Sequence, residues 1–440
     1  MNDQKVKGRL QEASERIKNF EEVEFGYNDE EALQEASRCL QCLNPRCVKG
    51  CPVNIMIPEF IKAIRENNLK EAYAVISRSS SLPAVCGRVC PQEKQCEAMC
   101  VKGIKGDAIS IGSLERYVAD QAILNHFNAV VPKEKNGKKV AIVGSGPAGL
   151  TCAGDLAKAG YDVTIYEVLQ KAGGVLTYGI PEFRLPKTIV QKEVDSLKEL
   201  GVTILTDVPV GNAITIPDLQ KQYDAVFLGI GANISKKMNI EGEELEGVYG
   251  GNELIEHNIK LDYTGKTVIV SGGGNVAMDV SRSIKRMGAD KVIVVYRRSE
   301  KEMPAEKKEI MDAKNEGIQF LFQTNILKII GNKSVEKIEV VKTKTVKKVG
   351  ELPTIINGTN RNILCDYVVM AVGSEADSEL VNSFKLDLDK SGKVDIDKVG
   401  NTSRLGIFAG GDVAGVKGTV AWAARSGRNA AYEIINYLNK

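Results

Sequence analysis

The sequence predicts an α/β protein with a helical N-terminal domain followed by two domains built on parallel β-sheets. Three observations support this fold class. Eight of the ten cysteines fall between Cys39 and Cys100, strands and helices alternate from Lys139 onward, and a strand, glycine loop and helix occur twice, from Val140 and from Val268. Strands alternating with crossover helices are typical of a parallel sheet. The predicted domains are 1–130, then 131–260 joined with 366–440, and 261–365, so that the second is discontinuous.

The composition is that of an ordinary globular protein, with 43% hydrophobic and 26% charged residues. The formal net charge of +2 gives no basis for binding nucleic acid or a membrane surface. No apolar run approaches the roughly 20 residues that cross a bilayer. Residues 1–20 lack the apolar core of a signal peptide, so we expect a cytoplasmic protein without a nucleic-acid or membrane partner.

The helical domain is predicted from patterns such as Pro58–Arg65 and Leu114–Phe127, with the cysteines in the loops between helices. Thiols at such short spacings in a reducing compartment favour metal binding over disulfides, and a Cys-Pro close to such a run is typical of ferredoxins. Iron–sulfur clusters, which carry one electron at a time, are therefore predicted here. The two runs are Cys39-x2-Cys42-x4-Cys47-x3-Cys51-Pro52 and Cys86-x3-Cys90-x5-Cys96-x3-Cys100.

The second domain begins with an apolar strand, a G-x-G-x-x-G loop and a helix, which predict a Rossmann-like dinucleotide site. Its glycines would permit the tight turn, the approach of a pyrophosphate, and close packing of helix on strand. Glu167 ends the next strand, about where a ribose-binding carboxylate belongs. The alternative is a glycine turn without a ligand. The predicted loop residues are Gly144, Gly146, Pro147, Ala148 and Gly149.

Two later segments predict that this dinucleotide is FAD. Gly173 and Gly174, with Val175 after them, follow Glu167 closely, as a second glycine pair does in flavoproteins. Near the C-terminus, a strand ends in Gly411-Asp412, and Asp412 could accept a hydrogen bond from a ribityl hydroxyl, or merely cap a helix. Backbone N–H groups near Thr419 and Val420 could meet the flavin carbonyl edge at a helix N-terminus.

The third domain repeats the pattern, and its next strand ends in Arg297-Arg298 where an NAD site would have a carboxylate. Guanidinium groups are suited to a 2′-phosphate, so the pair predicts NADPH. The alternative is two solvated arginines at a strand end. The predicted loop residues are Gly272, Gly273, Gly274, Asn275 and Val276, and Ala277 takes the place of the third glycine, which the fingerprint tolerates.

Longer motifs in the same order along nearly the whole chain resemble one known family. They are Cys39-Leu40-Gln41-Cys42, Leu82–Gln92, Ile111–Arg116, Tyr178–Pro186, Tyr296-Arg297-Arg298 and Met303-Pro304-Ala305. The chain resembles the glutamate synthase small subunit and its relatives, which include the large subunit of NADH-dependent reduced ferredoxin:NADP oxidoreductase and the N-terminal half of dihydropyrimidine dehydrogenase. The crossover Asn252–Lys266 looks shorter than in typical relatives.

The resemblance implies how the cysteines divide between two [4Fe–4S] clusters, because in such pairs one run supplies a ligand to the other cluster. The first cluster would take Cys39, Cys42, Cys47 and Cys100. The second would take Cys51, Cys90, Cys96 and Glu115, which leaves Cys86 over; a plain count of thiols makes Cys86 the eighth ligand instead. The resemblance also implies flavin contacts from Tyr178, Gly179, Ile180, Pro181 and Arg184.

These features predict hydride transfer between NADPH and FAD followed by single-electron steps, with no side-chain acid, base or nucleophile. The first candidate is the large subunit of a ferredoxin:NADP oxidoreductase, with electron bifurcation as an option. Its partner would be a small FAD/[2Fe–2S] subunit, with ferredoxin as a further partner. The second candidate is the NADPH-oxidising small subunit of glutamate synthase with its large subunit as partner. The third is a non-catalytic electron relay.

Overall fold

The computed structural model describes residues 4–127, 132–211, 214–256, 261–344 and 351–440. The N-terminal region is helical apart from one short ribbon, as the sequence predicts. Its loops are tightened by short 3₁₀ turns at Gln92–Lys94, Glu97–Met99 and Val101–Ile104. The elements are β1 (Arg9–Leu10), α1 (Ala13–Arg16), β2 (Glu24–Gly26), α2 (Asp29–Ser37), α3 (Arg46–Gly50), α4 (Ile57–Arg65), α5 (Leu69–Ser77), α6 (Pro83–Val89) and α7 (Ile111–Leu124).

Helix α4 shows why this region folds into helices. Ile57, Phe60, Ile61 and Ile64 recur at helical spacing, and all four are buried in the core of the N-terminal region. Burial of each such side chain contributes about 1.5–3 kcal/mol. Pro58 lies in the first turn, where its missing N–H has no helical partner to lose.

The first sheet is parallel. Its strands lie in the order β18 (Ile407–Ala409), β6, β3, β4 and β5. Val140, Ala141 and Ile142 of its central strand are fully buried between helices on both faces, which explains the unbroken apolar run. The elements of its first part are β3 (Lys139–Val143), α8 (Pro147–Lys158), β4 (Asp162–Tyr166), α9 (Val175–Tyr178), α10 (Lys187–Glu199), β5 (Thr203–Leu205), α11 (Ile216–Gln222) and β6 (Ala225–Leu228).

The second sheet is also parallel, in the order β11-β10-β9-β16-β8, and an antiparallel sheet of β12 to β15 follows β11 along the chain. Residues 328–362 belong to this antiparallel sheet and its connections, apart from 345–350, which are outside the described residues. The elements are β7 (Ile234–Ser235), β8 (Val248–Gly250), α12 (Gly251–Glu256), β9 (Thr267–Ser271), α13 (Asn275–Arg286), β10 (Lys291–Tyr296), α14 (Lys307–Asn315), β11 (Gln319–Phe322), β12 (Thr324–Gly331), β13 (Val335–Lys344), β14 (Thr354–Ile355), β15 (Arg361–Leu364) and β16 (Tyr367–Met370).

The chain then returns to the first sheet. Strand β18 pairs with β6, and α16 packs against α8. Among the described segments, none of the helices has the length and apolar character that a membrane span requires. The last elements are β17 (Ser374–Glu375), α15 (Ser378–Ser383), β18 (Ile407–Ala409) and α16 (Val420–Leu438).

Strand pairing corrects two predicted boundaries. The boundary at 366 assigned β16 to the first sheet, but β16 pairs with β9 and β8 of the second. The predicted segment 131–260 likewise assigned β8 to the wrong sheet. Strands β7 and β17 pair with each other, and this antiparallel ribbon lies where the chain leaves the first sheet and returns to it. We therefore propose boundaries at the ribbon. Two parallel blocks look alike in sequence, so only the backbone hydrogen bonds reveal which sheet a short strand joins.

Candidate functional site

The first glycine loop has the geometry that its glycines predict. Gly144 has φ of +94°, and a Cβ there would lie 2.6 Å from Gly229 O. A Cβ on Gly149 would lie 2.0 Å from Gly144 O, so only glycine lets α8 pack this closely. At Gly146 the nearest atom to such a Cβ is 3.9 Å away, which leaves its backbone open to a ligand. Pro147 and Ala148 begin α8, whose N-terminus carries unpaired N–H groups suited to a pyrophosphate.

Glu167 lies just after β4 and is 4% exposed. Its Oε2 accepts hydrogen bonds from the Ser145 backbone N–H at 2.9 Å and from the Ser145 hydroxyl at 2.5 Å. Its Oε1 accepts a hydrogen bond from the Leu169 N–H at 2.9 Å. The carboxylate therefore holds the glycine loop to the end of β4. Its predicted contact with a ribose stays a prediction.

The segment after Glu167 folds back onto the first loop. A Cβ on Gly174 would lie 3.0 Å from Gly146 Cα, so the two glycine pairs approach each other. Val175 is half exposed at the start of α9, and the Tyr178 hydroxyl accepts a hydrogen bond from the Lys171 N–H. Gly179 and Ile180 follow α9, and Ile180 is buried. This arrangement suits the predicted flavin contacts of the segment.

Arg184 forms buried ion pairs with two carboxylates, and its predicted flavin contact stays a prediction. Its Nη1 donates to both carboxylate oxygens of Asp279, at 2.8 and 3.0 Å, and its Nε is 3.1 Å from Glu309 Oε1. These carboxylates belong to α13 and α14, so the buried guanidinium joins the Tyr178–Pro186 segment to the second sheet's helices. Sequence reasoning missed this role because the partners lie about a hundred residues away along the chain.

The C-terminal segment reaches the same loop. A Cβ on Gly411 would lie 3.3 Å from Ala148 Cβ, and one on Gly427 would lie 2.0 Å from Ala148 O. Asp412 directly follows Gly411, and burial raises the pKa of its carboxyl. Thr419 caps α16 by accepting a hydrogen bond from the Trp422 N–H. Both halves of the first sheet thus meet at one site, as the prediction of a long dinucleotide requires.

The second glycine loop opens into a cavity of about 730 Å³. Gly272 has φ of +142°, and a Cβ there would lie 2.1 Å from Ala371 O. Nothing lies within 4 Å of a Cβ position on Gly274, which leaves room for a phosphate. The predicted residues Gly272, Gly273, Gly274, Asn275, Val276, Arg297 and Arg298 all line this cavity. Gly418 and Thr419 line it too, so the cavity extends to the start of α16.

The cavity has more positive charge than the sequence predicted. Arg297 is exposed, and Arg298 Nη2 donates to the Glu351 carbonyl at 3.1 Å. Lys236 and Lys237, just after β7, also line the cavity, as does Lys417 before α16. Sequence reasoning missed these lysines, because no fingerprint places the ribbon beside the nucleotide loop.

Cys39, Cys42, Cys47 and Cys100 line one small cavity of about 30 Å³, and their role as the first ligand set stays a prediction. Burial raises the pKa of Cys39, and burial together with Cys100 raises that of Cys47 to about 11. Within the described residues, no three histidine, cysteine or acidic side chains converge on a single ion. A cubane has one iron for each thiolate, so its ligands stand around a volume, which fits this arrangement.

The second ligand set is brought together in the interior between α3, α6 and α7. Cys51, Cys90, Cys96 and Glu115 are all less than a tenth exposed, and so is Cys86. Burial raises the pKa of Cys51 to about 12 and that of Glu115 to about 8. Glu115 Oε1 is buried without a hydrogen-bond partner. Burial without a partner is costly, so this orphaned oxygen fits a ligand to iron. Both Glu115 and Cys86 adjoin Cys90, so the eighth ligand stays a prediction.

Comparison with known proteins agrees with this layout. Residues 16–127 match the family model for dihydropyrimidine dehydrogenase domain II, 4Fe-4S cluster, and residues 138–428 match the one for pyridine nucleotide-disulphide oxidoreductases. The glutamate synthase [NADPH] small chain of Halomonas elongata is 36% identical, over 97% of this chain and 95% of that protein. The chain belongs to this family. The Escherichia coli glutamate synthase [NADPH] small chain is 34% identical, over 95% of this chain and 94% of that protein.

Other members of the family have different names. The beta subunit of an NADP(+)-dependent formate dehydrogenase from Moorella thermoacetica is 38% identical, over 90% of this chain and 60% of that protein. Among solved structures, Mycobacterium tuberculosis FprA in complex with NADPH has a TM-score of 0.60 at 20% identity, covering 69% of this chain and 85% of that one. At that identity the likeness establishes the fold alone.

The family match confirms the predicted family, the α/β fold class with its N-terminal 4Fe–4S domain, and the predicted enzyme class. The present chain is an oxidoreductase whose cofactors are FAD, NADP(H) and [4Fe–4S] clusters. The predicted non-catalytic relay is therefore set aside. The number of clusters stays a prediction that the two groups of thiols support.

Proposed function

We propose that this chain oxidises NADPH and passes the electrons to a separate protein subunit. The observation that carries the proposal is the cavity that joins the second glycine loop, through Arg297 and Arg298, to Gly418 and Thr419 at the start of α16. The same helix packs on the first glycine loop at Ala148. A nucleotide held at the second loop would therefore extend toward the predicted flavin.

When bound, FAD and the clusters would supply the conversion of the hydride delivered by NADPH into two single electrons, with its proton released to solvent. The side chains of this protein bind and orient the cofactors. Arg297 and Arg298 would hold the 2′-phosphate, and the N-terminus of α16 would favour negative charge on the flavin. The ion pairs of Arg184 with Asp279 and Glu309 would fix the distance between the two nucleotides.

Glutamate synthase is the first candidate for the assembly. The sequence alone placed a ferredoxin:NADP oxidoreductase first, but this chain spans 95% of the Halomonas elongata small chain and 94% of the Escherichia coli one. The partner would then be a large subunit that forms glutamate. Agreement along nearly the whole length of both relatives supports that choice.

A ferredoxin:NADP oxidoreductase is the second candidate. Its support is that the same region serves in relatives with other names, among them the beta subunit of a Geobacter sulfurreducens NADPH-Fe(3+) oxidoreductase at 35% identity. The partner would then be a small FAD/[2Fe–2S] subunit, with ferredoxin as the further acceptor and electron bifurcation as an option.

Two measurements test the proposal. The purified chain should reduce a dye with NADPH, and a chain that contains FAD but gives no such reduction would refute NADPH oxidation. Co-purification from the native host should then yield either a large glutaminase-bearing subunit or a small FAD/[2Fe–2S] subunit. The large subunit would support glutamate synthase, and the small one would overturn it in favour of the second candidate.

A further inference from the structure

Helix α16 lies between the first sheet and the N-terminal region. Ala421, Ala430 and Ala431 are buried in the core around the first sheet, whereas Ala424 is buried in the core of the N-terminal region. Gly427 allows the helix to contact the carbonyl oxygen of Ala148 in α8. The helix is thus positioned by the predicted flavin loop on one side and by the iron–sulfur region on the other.

Arg425 connects this helix to the loop that follows the predicted ligand Cys51. Its Nη1 donates to the Pro52 carbonyl at 2.5 Å. In the amide orientation that satisfies both neighbours, Asn54 accepts from the same nitrogen at 2.8 Å and donates to the Cys51 carbonyl at 3.3 Å. One guanidinium therefore reaches both the Cys51 and the Pro52 carbonyls, the first of them through Asn54.

The hydrogen bonds also hold a turn in the loop. Asn54 has φ of +57°, in the left-handed region that Asn adopts more often than most other non-glycine residues. The loop also lines a cavity of about 470 Å³, together with Trp422 and Arg425 from α16. The side of the loop that faces this cavity is therefore not held by packing alone. The hydrogen bonds of Arg425 connect the loop to α16 at this side.

The positive charge of Arg425 favours the reduced form of the nearby predicted cluster. Within the described part of the chain, no carboxylate forms an ion pair with it, although Asp397 lines the same cavity. A cluster held by thiolates and a carboxylate gains negative charge when it is reduced. A nearby cation therefore favours the reduced form, because net charge and hydrogen bonding tune cluster potentials.

We propose that Arg425 is a positioning residue for the second cluster: it holds the Cys51–Asn54 loop against α16, and its charge makes that cluster easier to reduce. This inference rests on the proposed function, since it requires FAD and the second cluster to be bound. No comparison assigns a role to this arginine. Its hydrogen bonds go to the Pro52 carbonyl and the Asn54 amide oxygen, so it acts through the loop and through its field.

The test compares Arg425→Met, which removes charge and hydrogen bonds, with Arg425→Lys, which keeps the charge but loses the planar fork. In anaerobic protein, redox titration followed by electron paramagnetic resonance gives the midpoint potential of the signal that Cys96→Ser abolishes. We expect a lower potential in Arg425→Met and a potential near that of the native protein in Arg425→Lys. Unchanged potential in Arg425→Met would overturn the inference.

Rapid mixing with NADPH adds a second readout. Flavin bleaching should proceed at the native rate in Arg425→Met, while reduction of the second cluster slows several-fold, because a lower midpoint potential reduces the driving force for that electron. Equal slowing of both steps would overturn the inference. Arg428→Met is the matched control, because Arg428 also joins α16 to the N-terminal region, at the Ser79 carbonyl, but not at the Cys51 loop.

Iron content separates the possible failures. Loss of the second cluster in Arg425→Met but not in Arg425→Lys or Arg428→Met supports positioning, whereas loss in all three marks general unfolding and overturns it. If the native chain holds no acid-labile sulfide, or NADPH does not bleach its flavin, the proposed function fails. If the native chain passes both checks and Arg425→Met behaves like it, only the present inference fails.

Discussion

We expect two adjacent arginines to give the nucleotide cavity its preference for a 2′-phosphate. Arg297 and Arg298 directly follow β10, and both line the cavity beside the second glycine loop. Each charge-assisted hydrogen bond to a 2′-phosphate contributes about 1.5–3 kcal/mol. We expect the double variant Arg297→Ala with Arg298→Ala to raise the KM for NADPH about ten- to a hundred-fold and that for NADH far less. Steady-state dye reduction measures both, with the exposed Arg361→Ala as control. Equal effects on the two nucleotides would refute the phosphate role.

Glu306 should make nucleotide binding depend on pH. It lines the same cavity, and its Oε1 accepts a hydrogen bond from Asn275 Nδ2 at 3.2 Å. Burial raises its pKa to about 7, and Arg184 nearby offsets this only in part. The carboxylate gains its charge as pH rises through about 7, and it then repels the phosphates of NADPH. Glu306→Gln cannot gain that charge, so its advantage in affinity over the native protein should grow with pH.

The measurement is the ratio of the two dissociation constants for NADPH across about pH 6 to 8.5. The ratio cancels the titration of the nucleotide's own phosphate, whose second pKa is about 6. A ratio that stays constant over this range would show that Glu306 does not face the phosphates.

Glu115 and Cys86 compete for the role of eighth cluster ligand. Glu115 has an orphaned buried oxygen, whereas Cys86 lies one helical turn before Cys90. We expect Glu115→Ala to lower the iron content by about half and Cys86→Ala to leave it unchanged, because the carboxylate has no other partner to satisfy it. Iron and acid-labile sulfide assays on anaerobic protein decide this, with flavin content as the check on folding. The opposite pattern would give the role to Cys86.

At the scale of elements, close approach between α16 and α8 positions the C-terminal segment. A Cβ on Gly427 would lie 2.0 Å from Ala148 O, which is a backbone atom and cannot move aside alone. Gly427→Ala should therefore cost about 1–3 kcal/mol of unfolding free energy, as overpacking generally does, and should weaken FAD binding. Denaturant titration and flavin content measure these effects. Gly8→Ala, where nothing lies within 4 Å, is the control, and equal behaviour of the two would contradict the packing argument.

At the scale of the whole molecule, buried ion pairs join regions that are distant in sequence. In α1, Arg16 Nη2 lies 2.9 Å from Asp312 Oδ1, and Arg16 Nε lies 2.8 Å from Glu316 Oε1. Both carboxylates belong to the second sheet's region. Arg282 and Arg286 both pair with Glu316, and both lie over the ring of Phe183 from the first sheet's region. All three regions therefore meet in one buried cluster of charges, which opposes rotation of the nucleotide-binding region.

Removal of one partner should be costly, because it leaves the others charged and buried. We expect Arg16→Met to lower the unfolding free energy by about 3–5 kcal/mol. Lys18→Ala removes the exposed pair with Glu15 and should cost less than about 0.5 kcal/mol. Denaturant unfolding of the holoenzyme measures both. A loss in Arg16→Met as small as that in Lys18→Ala would mean that the cluster does not join the regions.

The sequence by itself determined the parts of this protein that depend on local spacing. The cysteine runs, the glycine loops after Val143 and Ser271, and the arginines after β10 each form their chemistry within a few residues, so pattern reading found them. Turn geometry at Gly144 and Gly272 requires glycine wherever the rest of the chain lies. The family followed from the order of such motifs.

Only the tertiary structure decided which distant groups meet. Four features connect residues that lie far apart along the chain. They are the pairing of β16 with β9, the ion pairs of Arg184, the lysines that line the nucleotide cavity, and the contact of Arg425 with the Cys51–Asn54 loop. Periodicity within one element carries no information about the partner that its face meets. Such contacts depend on how whole elements pack, because burial and backbone hydrogen bonding are satisfied over the complete fold and not within a segment.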